Sequence, residues 1–250
     1  MRTIKQIHLA ESAPIADLIT FRALPTRSVD HIDPFLFLNH HGHQVYPPDN
    51  RGLPFGPHPH RGFETVTFIL QGDLAHKDSS GAESIINAGG VQWMTAGSGL
   101  IHAEVSSAEF MKQGGDLEIL QLWVNLPAKF KMIEPAYTGL QKEEIPTIEL
   151  DNGKVSIEAV SGNWGGTKGA FTPLSDIQLA LVHLKTGGVY KKAIAAERNI
   201  FFYVVKGTVT VNDRQARIHE LVEFNNDETD ISIEALEDCT ILLGHALPFN

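Results

Sequence analysis

From Phe63 onward the chain alternates with a period of two. Glu64, Val66, Phe68 and Leu70 fall on one face and Phe63, Thr65, Thr67 and Ile69 on the other, the pattern of a β-strand. The run stops at "QGD", a turn signal, and "LAHKDSSGAESIINAGG" follows as a hairpin-like unit closed by two glycines. "VQWMTAGSGLIHAEVS" predicts two short strands around a glycine-rich bend. "GGDLEILQLWVNLP" predicts a strong strand, with Leu117, Ile119, Gln121 and Trp123 opposite Glu118, Leu120, Leu122 and Val124, ended by Pro127. Upstream, "DPFLFLNHHG" is an apolar run closed by a polar turn, and "QVYPPDNRGLPFGP" predicts a loop leading to His58. No helical period lasts beyond two or three turns.

After the charged, proline-interrupted segment "AKFKMIEPAYTGLQKEEIPTIEL" the pattern begins again. "ETVTFILQGDLAHKD" in the first half and "NIFFYVVKGTVTVND" in the second are both apolar strands that reach a glycine and resume as another strand. A weak repeat of about a hundred residues predicts an all-β chain of two similar antiparallel β-barrels. The expected domains are residues 1–135 and 136–250.

Composition narrows the partners. The net charge of −10 opposes tight binding to nucleic-acid phosphates, and Lys191-Lys192 is too short a basic run to reverse that. The single cysteine, Cys239, cannot form an internal disulfide and sits in the apolar stretch "DCTILLGHAL", as a buried small hydrophobe would. The amino terminus lacks the apolar core of a signal peptide, and no run of about 18 apolar residues suits a membrane span. A cytoplasmic protein is expected.

The chemistry concentrates in "PFGPHPHRGFETVTFILQG". Two residues apart on a strand, His58 and His60 share a face, and Glu64 joins them if strand geometry persists. His102 and Glu104 in "AGSGLIHAEVS" repeat the two-residue spacing, after glycines that let the backbone bend. Two strand pairs approaching across a barrel interior would supply three imidazoles and a carboxylate, the donor set of a first-row divalent metal. Alternation alone permits either Glu64 or Glu104 as that carboxylate.

"HPHRGFETVTFILQG" with "QWMTAGSGLIHAE" resembles the signature of the pirin family in the cupin superfamily. Gly52, His58, His60 and Glu64 meet the general cupin pattern, and the second motif ends at His102. The resemblance is specific over residues 30–125 and looser after them. It implies a bicupin of jelly-roll type whose ligands are His58, His60, His102 and Glu104, with Glu64 as a group orienting a ligand or as a base. Family members usually extend past the position where this chain ends, and their tail commonly completes the second barrel.

The second half lacks the motif. "VYKKA" stands where the first has His-Pro-His, and His183, His219 and His245 are isolated, which reads as a structural barrel without metal.

The ligand types suit one divalent transition metal ion, with Fe(II) placed first and Mn, Ni, Cu, Co or Zn as alternatives. The resemblance implies quercetin 2,3-dioxygenase activity on a flavonol and dioxygen, with carbon monoxide released and Glu104 or Glu64 taking the 3-hydroxyl proton. Phe55, Phe63, Phe68, Trp93 and Met94 are expected in the core, with one or two lining a flat pocket. Two other readings follow from the resemblance: a redox-sensitive metal protein that regulates a protein partner, and a metal-dependent isomerase or hydrolase.

Overall fold

The computed structural model describes residues 1–249, and nearly all of its regular structure is antiparallel strand. Among the described residues the one α-helix is Ala108–Gln113, capped by the Ser107 hydroxyl, which accepts from the Phe110 N–H.

Two compact units form, and neither is a consecutive stretch of chain. The first comprises residues 12–22 and 36–144, and the second 1–11, 23–35 and 145–250. The expected division at 135/136 therefore moves. Ala136–Leu140 pairs with Val91–Thr95 in the first unit, while Ile4–Leu9 pairs with Glu220–Phe224 in the second. Each is an edge strand, and an edge strand is claimed by the sheet that offers it a ladder, which local pattern does not reveal.

The first unit's large sheet runs, in spatial order, through Ala136–Leu140, Val91–Thr95, Phe63–Gln71, Gly115–Asn125, Phe35–Tyr46, Thr20–Leu24 and Glu11–Ser12. Its small sheet runs Phe55–His60, Leu100–Val105, Asp73–Asp78, Glu83–Asn87. The second unit repeats both orders. Its large sheet is Ile4–Leu9, Glu220–Phe224, Asn199–Lys206, Cys239–Ala246, Ile177–Leu184, Val155–Ser161, Thr147–Leu150, and its small one Val189–Ala193, Asp230–Ala235, Thr208–Val211, Arg214–Arg217. The sheets keep free edges, so each unit is a pair of open sheets and not the closed barrel expected.

Two local expectations also change. The strand Phe35–Tyr46 continues through Asn39-His40-His41-Gly42, where a polar turn was expected. Those histidines are tolerated inside because they are partnered: His40 Nε2 lies 2.9 Å from Glu118 Oε1, and His41 Nδ1 lies 2.8 Å from Thr20 Oγ1. "FGP", expected in the loop, already belongs to the strand Phe55–His60.

The cores differ in kind. In the second unit one apolar cluster joins residues of both sheets, from Val155 and Phe202 to Val211 and Ile233. Among the described residues the first unit shows smaller clusters, one around Ile69, Leu74, Leu117 and Ile119 and another around Met94, Ala96 and Leu100. What interrupts its core is polar.

Candidate metal centre

His58 and His60 lie on Phe55–His60, and His102 and Glu104 on Leu100–Val105. These strands are direct neighbours in the small sheet, with His102 paired to His58. The donors thus meet side by side on one sheet, where an approach across the interior was expected. Gly62, at φ +78°, ends the first strand, and its N–H donates to the Gly97 carbonyl at 2.9 Å. Gly97, at φ +51°, passes so close to the Ile133 carbonyl that a Cβ would collide with it.

The imidazole centroids are 4.4 Å apart for His58 and His102, 4.9 Å for His60 and His102, and 4.8 Å for His58 and His60. His58 Nδ1 lies 2.8 Å from the Gly56 carbonyl, so it carries the proton and leaves Nε2 as a lone pair. That Nε2 stands 3.1 Å from His60 Nε2. Two nitrogens bound to one ion at about 2.1 Å and at right angles stand about 3 Å apart, so the spacing fits a shared ion. His102 is buried, and neither of its ring nitrogens has a partner among the described residues. Burial, and then the neighbouring histidines, pull its pKa down to about 3, and burial with His58 pulls His60 to about 4. Neutral imidazoles with free lone pairs are what a metal requires.

Glu104 is fully buried and anchored from three sides. Gln121 donates to Oε2 at 2.6 Å, while Thr67 (3.3 Å) and Gln92 donate to Oε1. Burial pushes its carboxyl up to about 7 against those donors. Its oxygen groups with His102 and His76, whereas His58, His60 and His102 form a second trio, each set of donor atoms within 4.8 Å. The four expected ligands, together with His76, are therefore spread over two overlapping trios that share His102.

His76 was missed by the sequence reading, although "HKD" has the same two-residue spacing as "HAE". Its Nε2 lies 3.0 Å from Asp78 Oδ2, its ring stacks on Tyr137 at 3.9 Å, and its Nδ1 is buried without a partner among the described residues. Tyr137 in turn donates to Gln92 at 3.0 Å, which ties this group to Glu104.

Glu64 departs from expectation. The strand break at Gly62 resets the two-residue phase after His60, so Thr67 points toward Glu104 while Glu64 lies on the opposite face. There its Oε1 accepts from Thr95 at 2.6 Å, the Trp93 side chain is a second donor to the carboxylate, and burial raises its pKa against both. It does not stand over the histidines.

Aromatic rings border the site. Trp123 packs on Phe37 at 4.4 Å, on Phe63 at 4.7 Å and edge-on to His60 at 5.2 Å. Phe68, Trp93 and Met94 are buried, whereas Phe63 is half-buried and lines an open pocket of about 320 Å³ with Arg61, Lys131 and Met132.

The repeat shows what the second unit has at the same places. Aligning Gly72 with Gly207 and following the ladders sets Thr67, Gln92 and Gln121 against Phe202, Val222 and Leu243. The same registers set His76, Glu104, His102 and His60 against Val211, Ile233, Ile231 and Ile194. Only His58 meets a polar residue, Lys192. Of the isolated histidines, His183 lies 3.1 Å from Thr240 Oγ1 and His245 2.7 Å from Arg198 Nε. Cys239 is buried and its thiol is pushed up to about 12, as for a core side chain.

Two repeated two-sheet units, one with a histidine cluster between its sheets' polar side chains, define a cupin-class protein. Residues 18–124 match the Pirin family model, and residues 160–243 match the model described as quercetinase C-terminal cupin domain. A Caulobacter vibrioides pirin-like protein is 35% identical over 231 residues, covering 92% of this chain and 81% of its own. A Pseudomonas aeruginosa protein, named provisionally as a quercetin 2,3-dioxygenase, is 35% identical over 242 residues, covering 97% of this chain and 83% of its own. The crystal structure of a quercetin 2,3-dioxygenase from Acinetobacter baumannii superposes with a TM-score of 0.92 at 32% identity, covering 100% of this chain and 88% of that one. The bacterial pirin YhhW of Escherichia coli, in complex with nickel(II), gives 0.76 at 25% identity, covering 97% of this chain and 100% of that one. The chain belongs to the pirin family.

Proposed function

We propose that this protein is a metal-dependent dioxygenase that cleaves flavonols such as quercetin with release of carbon monoxide. The observation that carries the reading is the trio His58, His60 and His102, with both nitrogens of buried His102 unpartnered. Family membership supports it, as do the relatives named for quercetin cleavage.

His58, His60, His102 and Glu104 would hold one divalent transition metal ion, Fe(II) first; a family relative binds nickel(II). When bound, the ion supplies Lewis acidity toward a deprotonated substrate oxygen and a route for electrons to dioxygen. The protein does the rest. Trp123 and Phe63 offer flat faces beside His60, suited to a planar aromatic substrate. Glu104, the carboxylate among the donors, takes the proton of the flavonol 3-hydroxyl. Thr67, Gln92 and Gln121 hold its oxygens so that it turns toward His102. The protein acts on a small aromatic molecule in the cytoplasm, where the lone buried Cys239 stays reduced.

The test starts with the metal content of protein purified without added metal. Anaerobic quercetin should then shift its absorption on mixing with the metal-loaded protein, and air should bleach it with carbon monoxide released. Fully loaded protein that neither shifts nor bleaches the flavonol refutes the assignment.

A further inference from the structure

In the second unit the polarity of the site is inverted. The centre is isoleucine, valine and leucine, while Lys192 replaces His58, and the register that gives Trp123 in the first unit gives His245 here. Lys192 points to the same side as its ladder partner Ile231, inward, and its Nζ rests 4.2 Å above the Trp164 ring. Among the described residues it has no hydrogen bond or ion pair. Its charge is carried by an aromatic face alone.

His245 has the matching vacancy. It is 4% exposed, and its Nδ1 accepts from Arg198 Nε at 2.7 Å. A guanidinium only donates, so Nδ1 bears the lone pair and Nε2 bears the proton. That Nε2–H is buried and has no acceptor among the described residues. A buried donor left unmet costs about 1–3 kcal/mol, so an acceptor belongs there. The Trp164 ring, 5.9 Å from the His245 ring, lies against both groups, and its own N–H is spent on the Ser161 carbonyl at 2.8 Å.

Two arginines lie near Lys192 and His245, and their hydrogen bonds are already taken. Arg198 is occupied by Asp176 and by the carbonyls of Asp176 and His245. Buried Arg2 donates to the carbonyls of Ala195, Ala196, Arg198 and Asn225 and to Asn226, all neutral. Three cations thus share one hydrogen-bonded carboxylate, Asp176, in a chain of net charge −10. Burial lowers the pKa of Lys192 and holds His245 near 3, and a nearby negative charge would relieve Lys192. A pocket of about 350 Å³ is lined by Lys191, Lys192, Asp230 and Ser232.

We propose that the second unit binds a small oxyanion, a carboxylate or phosphate group, between the Lys192 ammonium and the His245 Nε2–H beside the Trp164 face. The anion would draw Nζ off the indole and supply the acceptor that His245 lacks. Asp230, the acid at the pocket wall, selects against multiply charged ligands that overhang it.

Calorimetric titration of the full-length, metal-loaded protein with inorganic phosphate, and separately with acetate, tests the site. Saturable binding of at least one probe is expected, weakened at least about tenfold by Lys192→Met and by His245→Phe, and largely retained in Lys192→Arg. Lys191→Met and the metal-free parent should bind as the metal-loaded parent does. Absence of saturable binding, or equal losses in Lys191→Met and Lys192→Met, would mean surface charge alone and overturn the proposal. So would loss in the metal-free parent with Lys192→Met unaffected, which places the anion in the first unit. Circular dichroism of His245→Phe guards against misfolding, and Lys192→Met, at a half-exposed residue, carries the decision if that variant unfolds.

Discussion

His102 sits directly across the sheet from His58, their ring centroids 4.4 Å apart, although 44 positions of sequence separate them. The pairing of Phe55–His60 with Leu100–Val105 is thus what assembles the donor set. It also decides what each substitution should do.

His102→Ala removes the one residue common to both donor trios. Metal affinity should fall by more than the 10–100-fold typical of losing an outer partner. Competition with a chelator measures it, and affinity within a factor of ten of the parent would contradict the shared-ligand arrangement. The metal-free variant should fold, since the imidazole it loses makes no hydrogen bond.

Gln92→Leu takes one donor from Glu104 and one acceptor from Tyr137 without touching the histidines. The expected result is a loss of about 10–100-fold in metal affinity, with near-parental thermal stability. Unchanged affinity would show that Thr67 and Gln121 suffice to orient the carboxylate.

Glu64 and Glu104 separate cleanly. Glu104→Gln should lose metal and turnover together. Glu64→Gln should keep turnover within about twofold and be as stable as the parent or more so at neutral pH, because burial disfavours the charge it removes. A large loss of kcat in Glu64→Gln with metal retained would restore Glu64 as a base.

Metal-free protein should be sensitive to mild acid. Burial holds His41, His60, His102 and His245 at about 3, 4, 3 and 3, whereas the unfolded chain takes up protons near 6.5. The folded state binds fewer protons in that window, so stability is complete above pH 6.5 and falls as pH drops toward the folded values. Each fully depressed imidazole contributes a slope of about 1.4 kcal/mol per pH unit. Urea midpoints measured from pH 7 to pH 5 should decline steeply, and saturating metal should steepen them further as protons compete for ligand nitrogens. A flat profile in the metal-free protein would contradict this.

Trp123→Leu should raise KM for quercetin several-fold and lower metal affinity less than Gln92→Leu does, since its ring borders His60 and its N–H reaches only Gln121 Oε1, at 3.3 Å, and no ligand atom. An equal fall in kcat with unchanged KM would assign Trp123 to the reaction step instead.

Much of this was legible from spacing. His58-Pro59-His60 and His102-Ala103-Glu104 each put two donors on one face of a strand, and the repeat around Gly72 and Gly207 announced two like units. Glu64 misled because a glycine between two strand segments resets the alternation, and composition does not reveal where the phase restarts. His76 and Asp78 carried the same spacing signal but lay in a hairpin that already had an explanation. The aromatic border of Trp123 and Phe37 depends on which strands are neighbours, so no local window contains it. The contrast between a polar centre in one unit and an isoleucine-filled centre in the other emerges only when the two registers are laid together.

The ladder between Ile4–Leu9 and Glu220–Phe224 has a consequence for how the molecule is made and taken apart. During synthesis Ile4–Leu9 emerges long before the strand it pairs with, Glu220–Phe224. It must be kept from adhering to other exposed edges throughout that interval. Nor can one scission after Glu144 yield two whole pieces: the leading fragment keeps a strand it cannot use, and the trailing fragment is left with an open flank where that strand belonged.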